Sequence, residues 1–106
     1  MIGVRFYLCR SGRLLGFRIT GHAGSAPHGE DIVCAGISAL AQTAANALET
    51  VAGLDPIIHT GDGFLDLRLP KGLSRRQRRA ADIILRTVEQ GLRDIALAYA
   101  QHVKIH

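Results

Sequence analysis

"IVCAGISALAQTAANALETV", residues 32–51, decides the fold, because here the apolar residues change from every second position to steps of three and four. Such steps place them on one side of an α-helix. The stripe consists of Val33, Ile37, Leu40, Ala41, Ala44, Leu48 and Val51. Asp31 is the expected N-cap, and Gly53 with Pro56 is expected to end the helix. The alanines of this helix predict that a neighbouring element approaches closely.

The segment before this helix has the period of two that is typical of β-strands. Apolar side chains recur at Ile2, Val4, Phe6 and Leu8, and again at Leu15, Phe17 and Ile19. The residues between the two runs, "RSGRL", contain Ser and Gly, which favour a turn. We therefore expect an antiparallel hairpin at the start of the chain.

A second hairpin is predicted after the central helix. "PIIHT" and "FLDLRL" flank the turn "GDG" at positions 61–63. The second run places its leucines on one side and Asp66 and Arg68 on the other, as in a strand with one buried face.

A second amphipathic helix follows this hairpin. Ser74 and Gln77 form a capping box that opens it. Its apolar stripe consists of Ala81, Ile84, Leu85, Val88, Leu92, Ile95, Ala96 and Tyr99. The tail "HVKIH" predicts a short strand at the edge of the sheet.

The resulting order is strand, strand, helix, strand, strand, helix, and each element has one apolar side. A two-layer α+β sandwich buries all of these sides, as an antiparallel sheet of about four strands covered on one face by two helices. The 106 residues suit a single domain over positions 1–106. The order of strands within the sheet does not follow from the sequence.

Composition places the chain among ordinary globular proteins, with 47% apolar and 21% charged residues. No apolar run approaches the ~18 residues that a membrane span requires, and the N-terminus lacks the basic leader of a signal peptide. Two cysteines are too few for a disulfide framework, and a reducing cytosol keeps them as thiols. We therefore expect a cytoplasmic protein without membrane attachment.

The basic charge of the chain suggests an anionic partner. The net charge is +4 and the pI is about 9.7, which favours RNA or a ribosome surface. "RRQRR" places Arg75, Arg76, Arg78 and Arg79 at the start of the second helix, where the helix dipole disfavours cations. This cluster could contact ribosomal RNA, or it could be a solvated basic turn. A non-enzymatic binding module that uses the cluster is therefore one hypothesis for the function.

The chemistry-bearing residues lie around the start of the central helix. Cys34 is expected in the first turn, where unpaired amides and the helix dipole stabilise a thiolate. His22 directly follows the first hairpin and could reach this turn as an ion-pair partner and then as a general acid. Asp31 could orient the imidazole or cap the helix. Ser38 lies one turn after Cys34 on the same face.

The residues between the first hairpin and this helix predict a mobile loop. Gly21, Gly24 and Gly29 permit many backbone conformations, and Pro27 restrains one position. His28 adds a second titratable group beside the expected base. A loop of this kind would complete the site when substrate binds.

Two other chemistries fit the same stretch less well. Its suitable zinc ligands are His22, His28, Asp31 and Cys34. Their spacing matches no standard zinc pattern. A glycine-containing loop before a helix could hold phosphate, but the Gly-Lys-Ser/Thr ending of a nucleotide-binding loop is absent. We therefore expect neither a metal nor another cofactor.

The pattern "GHA", a short loop and "DIVCAGISALAQT" resembles the ribosomal-processing cysteine proteases of bacteria, the Prp family. The resemblance is strongest over positions 21–43 and extends more loosely over the whole chain. Gly36 stands where the family commonly has alanine, and His28 is an additional histidine. Neither difference removes a catalytic group.

This resemblance implies that Cys34 and His22 are the catalytic pair, with Gly21, Asp31 and Ser38 as supporting positions. It implies a homodimer whose substrate is the N-terminal extension of the large-subunit ribosomal protein numbered twenty-seven. Because that extension ends in a hydrophobic, aromatic-containing motif, a partly apolar pocket is expected. The expected function is a cysteine endopeptidase of ribosome maturation, with main-chain amides near the thiol as oxyanion donors.

Overall fold

A computed structural model describes the backbone of residues 1–21 and 28–106 and the side chains of residues 1–21 and 32–106. Its elements, in chain order, are β1 (Ile2–Leu8), β2 (Leu14–Thr20), α1 (His28–Thr50), β3 (Ile57–Gly61), β4 (Phe64–Arg68), α2 (Arg75–Ala98) and β5 (Val103–Ile105). The order of elements predicted from the sequence is confirmed, including both hairpins and the short C-terminal strand.

The five strands form one sheet in the order β3-β4-β2-β1-β5. All neighbouring strands are antiparallel except β5, which runs parallel to β1. The α+β class with two helices is thus confirmed, but the sheet is mixed. The helix between β4 and β5 explains the difference, because only a long connection can bring a strand back parallel to its neighbour.

The core lies between the sheet and the apolar stripes of the two helices. Its fully buried side chains include Val4, Leu48, Leu67 and Leu92. The helices approach each other closely at two glycines. A Cβ added at Gly36 would lie 3.3 Å from Ile95 Cδ1, and one added at Gly91 would lie 2.9 Å from Leu40 Cδ1.

The prediction that the last residue of each apolar stripe is buried is wrong. Val51 is 71% exposed and Tyr99 is 40% exposed. Each follows the last residue of its helix, so neither is held over the core by helical geometry. The prediction that the helix stops at Gly53 is confirmed. Gly53 has a φ of +66°, and the Leu54 amide after it donates to the Leu48 carbonyl at 3.0 Å.

The capping box of α2 also joins the two helices. The Ser74 hydroxyl accepts from the Gln77 amide at 3.1 Å, and the Gln77 side chain accepts from the Ser74 amide at 3.0 Å. The other end of that amide group, Nε2 of Gln77, donates to the carbonyl of Gly53 at 2.9 Å. One side chain therefore begins α2 and anchors the turn that follows α1.

The start of α1 differs from the prediction. The helix begins at His28, not near Ile32, so Asp31 lies within it and is not the N-cap. His28 and Gly29, expected in a mobile loop, are its first residues. Cys34 is the seventh helical residue and lies in the second turn. The predicted loop positions Gly24 and Pro27 lie outside the described residues.

A bulge in the first hairpin changes which leucine is buried. The register of β1 and β2 pairs Tyr7 with Gly16 but Leu8 with Leu14, which leaves Leu15 as an extra residue. Leu14 is 4% exposed and Leu15 is 40% exposed. The prediction that Leu15 faces the core is therefore wrong, because a shift of one residue exchanges the two faces of a strand.

The length and composition of α1 match those of a membrane span, contrary to the prediction. The segment Ile32–Thr50 has 19 residues and a mean hydropathy of 1.2. Core helices meet the same test, and in this helix the apolar stripe packs in the core, with Val33, Ile37 and Leu48 at most 3% exposed.

The outer face of the sheet, opposite the helices, contains a buried carboxylate. Asp66 is 5% exposed, accepts a hydrogen bond from the Tyr7 hydroxyl and accepts another from Arg68 Nε at 3.0 Å. Arg18 Nε lies 3.6 Å from the same carboxylate. Burial raises the pKa of Asp66, but the hydrogen bonds from Tyr7 and Arg68 and the charges of both arginines outweigh it, so the pKa lies below its ordinary value.

This network predicts an acid-dependent stability. Because the Asp66 pKa is lower in the folded state, its stabilisation is present above the unfolded-state value of about 4 and is lost as the pH falls through the folded-state value. Asp66→Asn should lower the free energy of unfolding by about 1–3 kcal/mol at neutral pH. Denaturant unfolding between about pH 3 and pH 7 should show this difference shrinking in acid. The exposed turn variant Asp62→Asn is the control, and a pH-independent gap for Asp66→Asn would contradict the network.

Gly21 directly follows β2 in a conformation that excludes a side chain. Its φ is +87°, and a Cβ added there would lie 2.2 Å from the carbonyl oxygen of Met1. Its amide donates to the Gly63 carbonyl in the β3–β4 turn at 2.8 Å. Glycine at this position therefore fixes where the chain leaves the sheet.

Gly21→Ala should destabilise the fold more than the same substitution at a glycine that has a similar φ but no neighbour in contact. Gly12 is the matched control, because its φ is +86° and an added Cβ would meet nothing within 4 Å. Gly12→Ala should cost about 1–2 kcal/mol from the left-handed conformation alone. Gly21→Ala should cost a further ~1–3 kcal/mol from the clash. Equal losses in denaturant unfolding would show that the contact with Met1 is unimportant.

Candidate active site

A cavity of about 360 Å³ opens between α1 and one end of the sheet. Its helix side consists of Cys34, Ile37, Ser38, Ala41 and Gln42. Its sheet side consists of Ile2, Ile19, Gly21, Thr60, Gly63, Phe64 and Leu65. The cavity thus joins α1, the end of β2 and the second hairpin, which are separate in the sequence.

The position of the thiol follows from the rotation of α1. Val33 and Ile37 are 1% and 3% exposed, so they fix the side of the helix that faces the core. The next residue after each, Cys34 and Ser38, is turned by ~100° to the edge of the buried stripe. The Cys34 side chain consequently packs partly against the core and lines the cavity with the rest of its surface.

The helix contributes a row of hydrogen-bonding groups. Cys34, Ser38 and Gln42 follow one another at intervals of four residues and all line the cavity. Ser38 and Gln42 are exposed. A peptide lying along α1 would meet a thiol, a hydroxyl and an amide in succession.

The sheet side supplies mainly apolar surface. Ile2, Ile19 and Leu65 point to the inner face, and Phe64 also lines the cavity. The cavity therefore suits an apolar or aromatic side chain next to a thiol. The partly apolar pocket expected from the sequence is present.

The predicted site residues are brought together only in part among the described residues. Cys34, Ser38 and the backbone of Gly21 meet at the cavity. His22 follows Gly21 in the chain but lies outside the described residues. The side chain of Asp31 also lies outside them, although its backbone belongs to α1.

Sequence reasoning missed Gln42, Thr60 and Phe64. Gln42 could have been found, because it continues the four-residue spacing of Cys34 and Ser38. Thr60 and Phe64 carry no such signal. They reach the cavity because β4 pairs with β2, and the sequence does not determine that neighbour.

The arginine cluster of α2 is separate from this site. Arg75, Arg76, Arg78 and Arg79 are all exposed. Three of them border a shallow depression of about 440 Å³ together with Arg13 and Asp82. None of these residues lines the cavity at Cys34.

The described residues give no support to the zinc alternative. They contain no group of three or more His, Cys, Asp and Glu side chains that could hold a metal ion. Of the suggested ligands, only the side chain of Cys34 belongs to the described part of the chain. Cys9 and Cys34 are both free thiols.

Comparison with known proteins gives a match over almost the full length. The family profile described as "Cysteine protease Prp" matches residues 1–104. The ribosomal processing cysteine protease Prp of Bacillus subtilis is 32% identical over 94 residues, which cover 87% of this chain and 84% of that protein.

Two solved structures of the ribosomal processing protease Prp from S. aureus have the same fold. The complex with a substrate peptide has a TM-score of 0.86 and 27% identity, and the match covers 100% of this chain and 98% of that one. The complex with a covalently linked product peptide has a TM-score of 0.84 and 28% identity, with the same coverage.

These matches agree with the site that the fold builds. The resemblance predicted from the "GHA" and "DIVCAGISALAQT" segments is confirmed, and so is the prediction of an enzyme. With a thiol at the mouth of a partly apolar cavity and a family match over residues 1–104, the chain belongs to the Prp family of cysteine proteases.

Proposed function

We propose that this cysteine protease removes the N-terminal extension of the large-subunit ribosomal protein numbered twenty-seven during ribosome maturation. The observation that carries the proposal is the convergence of Cys34, Ser38 and Gly21 on one cavity with an apolar floor. The relatives support the substrate class, because the Bacillus subtilis protein is a ribosomal processing protease and the S. aureus protein has been solved with a substrate peptide.

The proposed nucleophile is the Cys34 thiolate and the proposed general acid and base is His22. The sulfur attacks the scissile carbonyl, and the carbonyl electron pair moves to oxygen. Collapse of this intermediate breaks the carbon–nitrogen bond, and the imidazolium of His22 protonates the departing amine. Water, deprotonated by the now neutral imidazole, then cleaves the thioester and releases the acid product and the thiol.

Gly21 supports His22 as the partner of the thiol. Its backbone lines the cavity, its amide is held by Gly63, and its φ of +87° sets the direction of the chain at that point. The next residue is His22, so the chain enters the base-bearing segment at the rim of the cavity. This connection limits how far the imidazole can lie from Cys34.

The oxyanion donors proposed from the sequence need revision. In a helix only the first four amides lack an intrahelical acceptor. Because α1 begins at His28, the amides beside Cys34 belong to the interior of the helix. The hydroxyl of Ser38, one turn after Cys34, is a better candidate donor to a developing oxyanion, whereas the side-chain amide of Gln42, about 12 Å from Cys34 along the helix axis, could donate to the substrate backbone.

Cys34→Ser should abolish cleavage and leave the fold intact, because a hydroxyl is a far weaker nucleophile than a thiolate at neutral pH and is nearly the same size. The measurement is mass spectrometry of the substrate N-terminus after incubation with wild type and variant. The other free thiol provides the control, since Cys9→Ser alters a residue outside the cavity. Full turnover by the Cys34 variant would rule out the proposed nucleophile.

Variants of the two neighbouring histidines distinguish the general base from a histidine without a catalytic role. His22→Ala should lower kcat by about 10²–10⁴-fold, as expected for loss of a general acid. His28→Ala, at the first residue of α1, should retain most of the activity. The base assignment would be wrong if only the His28 variant lost its turnover.

The proposed setting is the cytoplasm, close to the ribosome or to RNA, and the proposed assembly is a homodimer. The basic charge of the chain supports the first. The resemblance to the family suggests the second, and α2 has apolar side chains available for a partner, with Leu97 83% and Ile83 62% exposed. Sedimentation equilibrium should give twice the monomer mass of 11.4 kDa, and a monomer at all concentrations would exclude the dimer.

A further inference from the structure

The outer face of the sheet, opposite the helices, is strongly cationic. No element within residues 1–21 and 28–106 covers this face. Its exposed cations are Arg5, Arg18, Arg68 and Lys104. Within the five strands its single carboxylate is Asp66, which is buried. The face therefore has an excess of positive charge beside exposed Thr20 and His106.

Two of the arginines are held in place before any ligand arrives. Asp66 holds Arg68 and Arg18 through their Nε atoms, at 3.0 Å and 3.6 Å. The Arg68 guanidinium also lies 4.2 Å from the ring centroid of Tyr7, and Arg18 lies 5.6 Å from that of Phe64. Their side chains are still 55% and 47% exposed, so the Nη groups remain accessible to an acceptor from solvent.

The third arginine, Arg5, adds a like charge beside Arg18. Arg5 and Arg18 are direct partners across β1 and β2. Like charges in this arrangement are destabilising. An anion bound between the strands would remove the repulsion. Arg5, Arg18 and Arg68 line a concavity of about 490 Å³ together with Thr20 and His106, and Lys104 adds a positive charge on the neighbouring strand β5.

The chemistry of this face suits phosphodiester groups, and the choice of a nucleic acid over an acidic protein segment rests on the setting of the proposed function. Guanidinium groups match phosphate oxygens in a two-pronged geometry. The two aromatic rings of the face, Tyr7 and Phe64, each already carry a guanidinium. Because an arginine already lies against each ring, we do not expect nucleic-acid bases to stack on them. Binding should consequently depend on the backbone of a nucleic acid and not on its sequence.

We propose that the outer face of the sheet binds the phosphate backbone of RNA. The choice of RNA rests on the proposed function, because a protease of a ribosomal protein works beside ribosomal RNA. The peptide cavity uses the inner face and α1, so one molecule can hold RNA and substrate at the same time. The face would then keep the enzyme near its substrate without taking part in the chemistry.

The test compares two double variants that remove the same charge. Arg5→Gln with Lys104→Gln changes the sheet face but leaves Asp66 and Phe64 untouched. Arg75→Gln with Arg79→Gln changes the cluster on α2, the contact suggested by the sequence. Fluorescence anisotropy with a labelled single-stranded RNA of about 20 nucleotides gives the affinity at several salt concentrations.

The sheet-face variant should bind roughly ten-fold more weakly at low salt, and its slope of log affinity against log salt should fall by about 1.4, since each lost contact to single-stranded RNA removes ~0.7. The α2 variant should stay within about two-fold of wild type. Both should cleave a free peptide at the wild-type rate. The RNA affinities are measured without cleavage, so a failed protease assignment would leave that comparison intact. The sheet-face variant should be no less stable, because loss of Arg5 relieves its repulsion with Arg18.

Three results would overturn the proposal. Equal weakening by both variants would mean that net charge alone attracts RNA. Binding of a polyglutamate peptide as tight as that of RNA would assign the face to acidic protein segments. A wild-type dimer that becomes a monomer in the sheet-face variant, measured by sedimentation, would show that a second copy of the chain covers this face.

Discussion

The site depends on the way α1 is seated on the sheet. Val33, Ile37 and Ala41 are each at most 3% exposed, and burial of such a stripe allows a helix only one rotation about its axis. That rotation places Cys34 and Ser38 at the boundary between core and solvent. A sulfur on the buried stripe would be inaccessible, and one on the opposite side would have no cavity. The packing that stabilises the fold therefore also positions the Cys34 thiol at the cavity.

Periodicity predicted which side of each helix is buried, because it reports the contacts that hold the helix in place. It did not predict where α1 begins. The stretch before Ile32 contains glycine and polar residues, which suggested a loop, yet the helix begins at His28. Pro27 immediately before it was an available signal, since proline is favoured around the first helical position. The bulge at Leu15 left no signal of its own, because a run with two adjacent leucines fits either register.

The two sides of the cavity also differ in how well the sequence predicts them. Cys34 and Ser38 belong to one helix, and their spacing alone placed them on one face. Thr60 and Phe64 join them only because β4 pairs with β2, and strand order arises from long-range packing. Gly21 was predictable only in part. Its place in the "GHA" segment was visible, but the need for glycine became clear only from its φ of +87° and its contact with Met1.

The position of Cys34 also determines what must activate it. The field of a helix end decreases within the first turn, and Cys34 is the seventh residue of α1. The helix-end field that the sequence suggested is therefore weak at this position, and the proposed mechanism relies on a base to take the thiol proton. The backbone at Gly21 is held against Met1 and Gly63 at the rim of the cavity, and the next residue carries an imidazole. Gly21 is therefore the described residue that joins the sheet to the proposed base, and glycine is needed there because a side chain would meet the carbonyl oxygen of Met1.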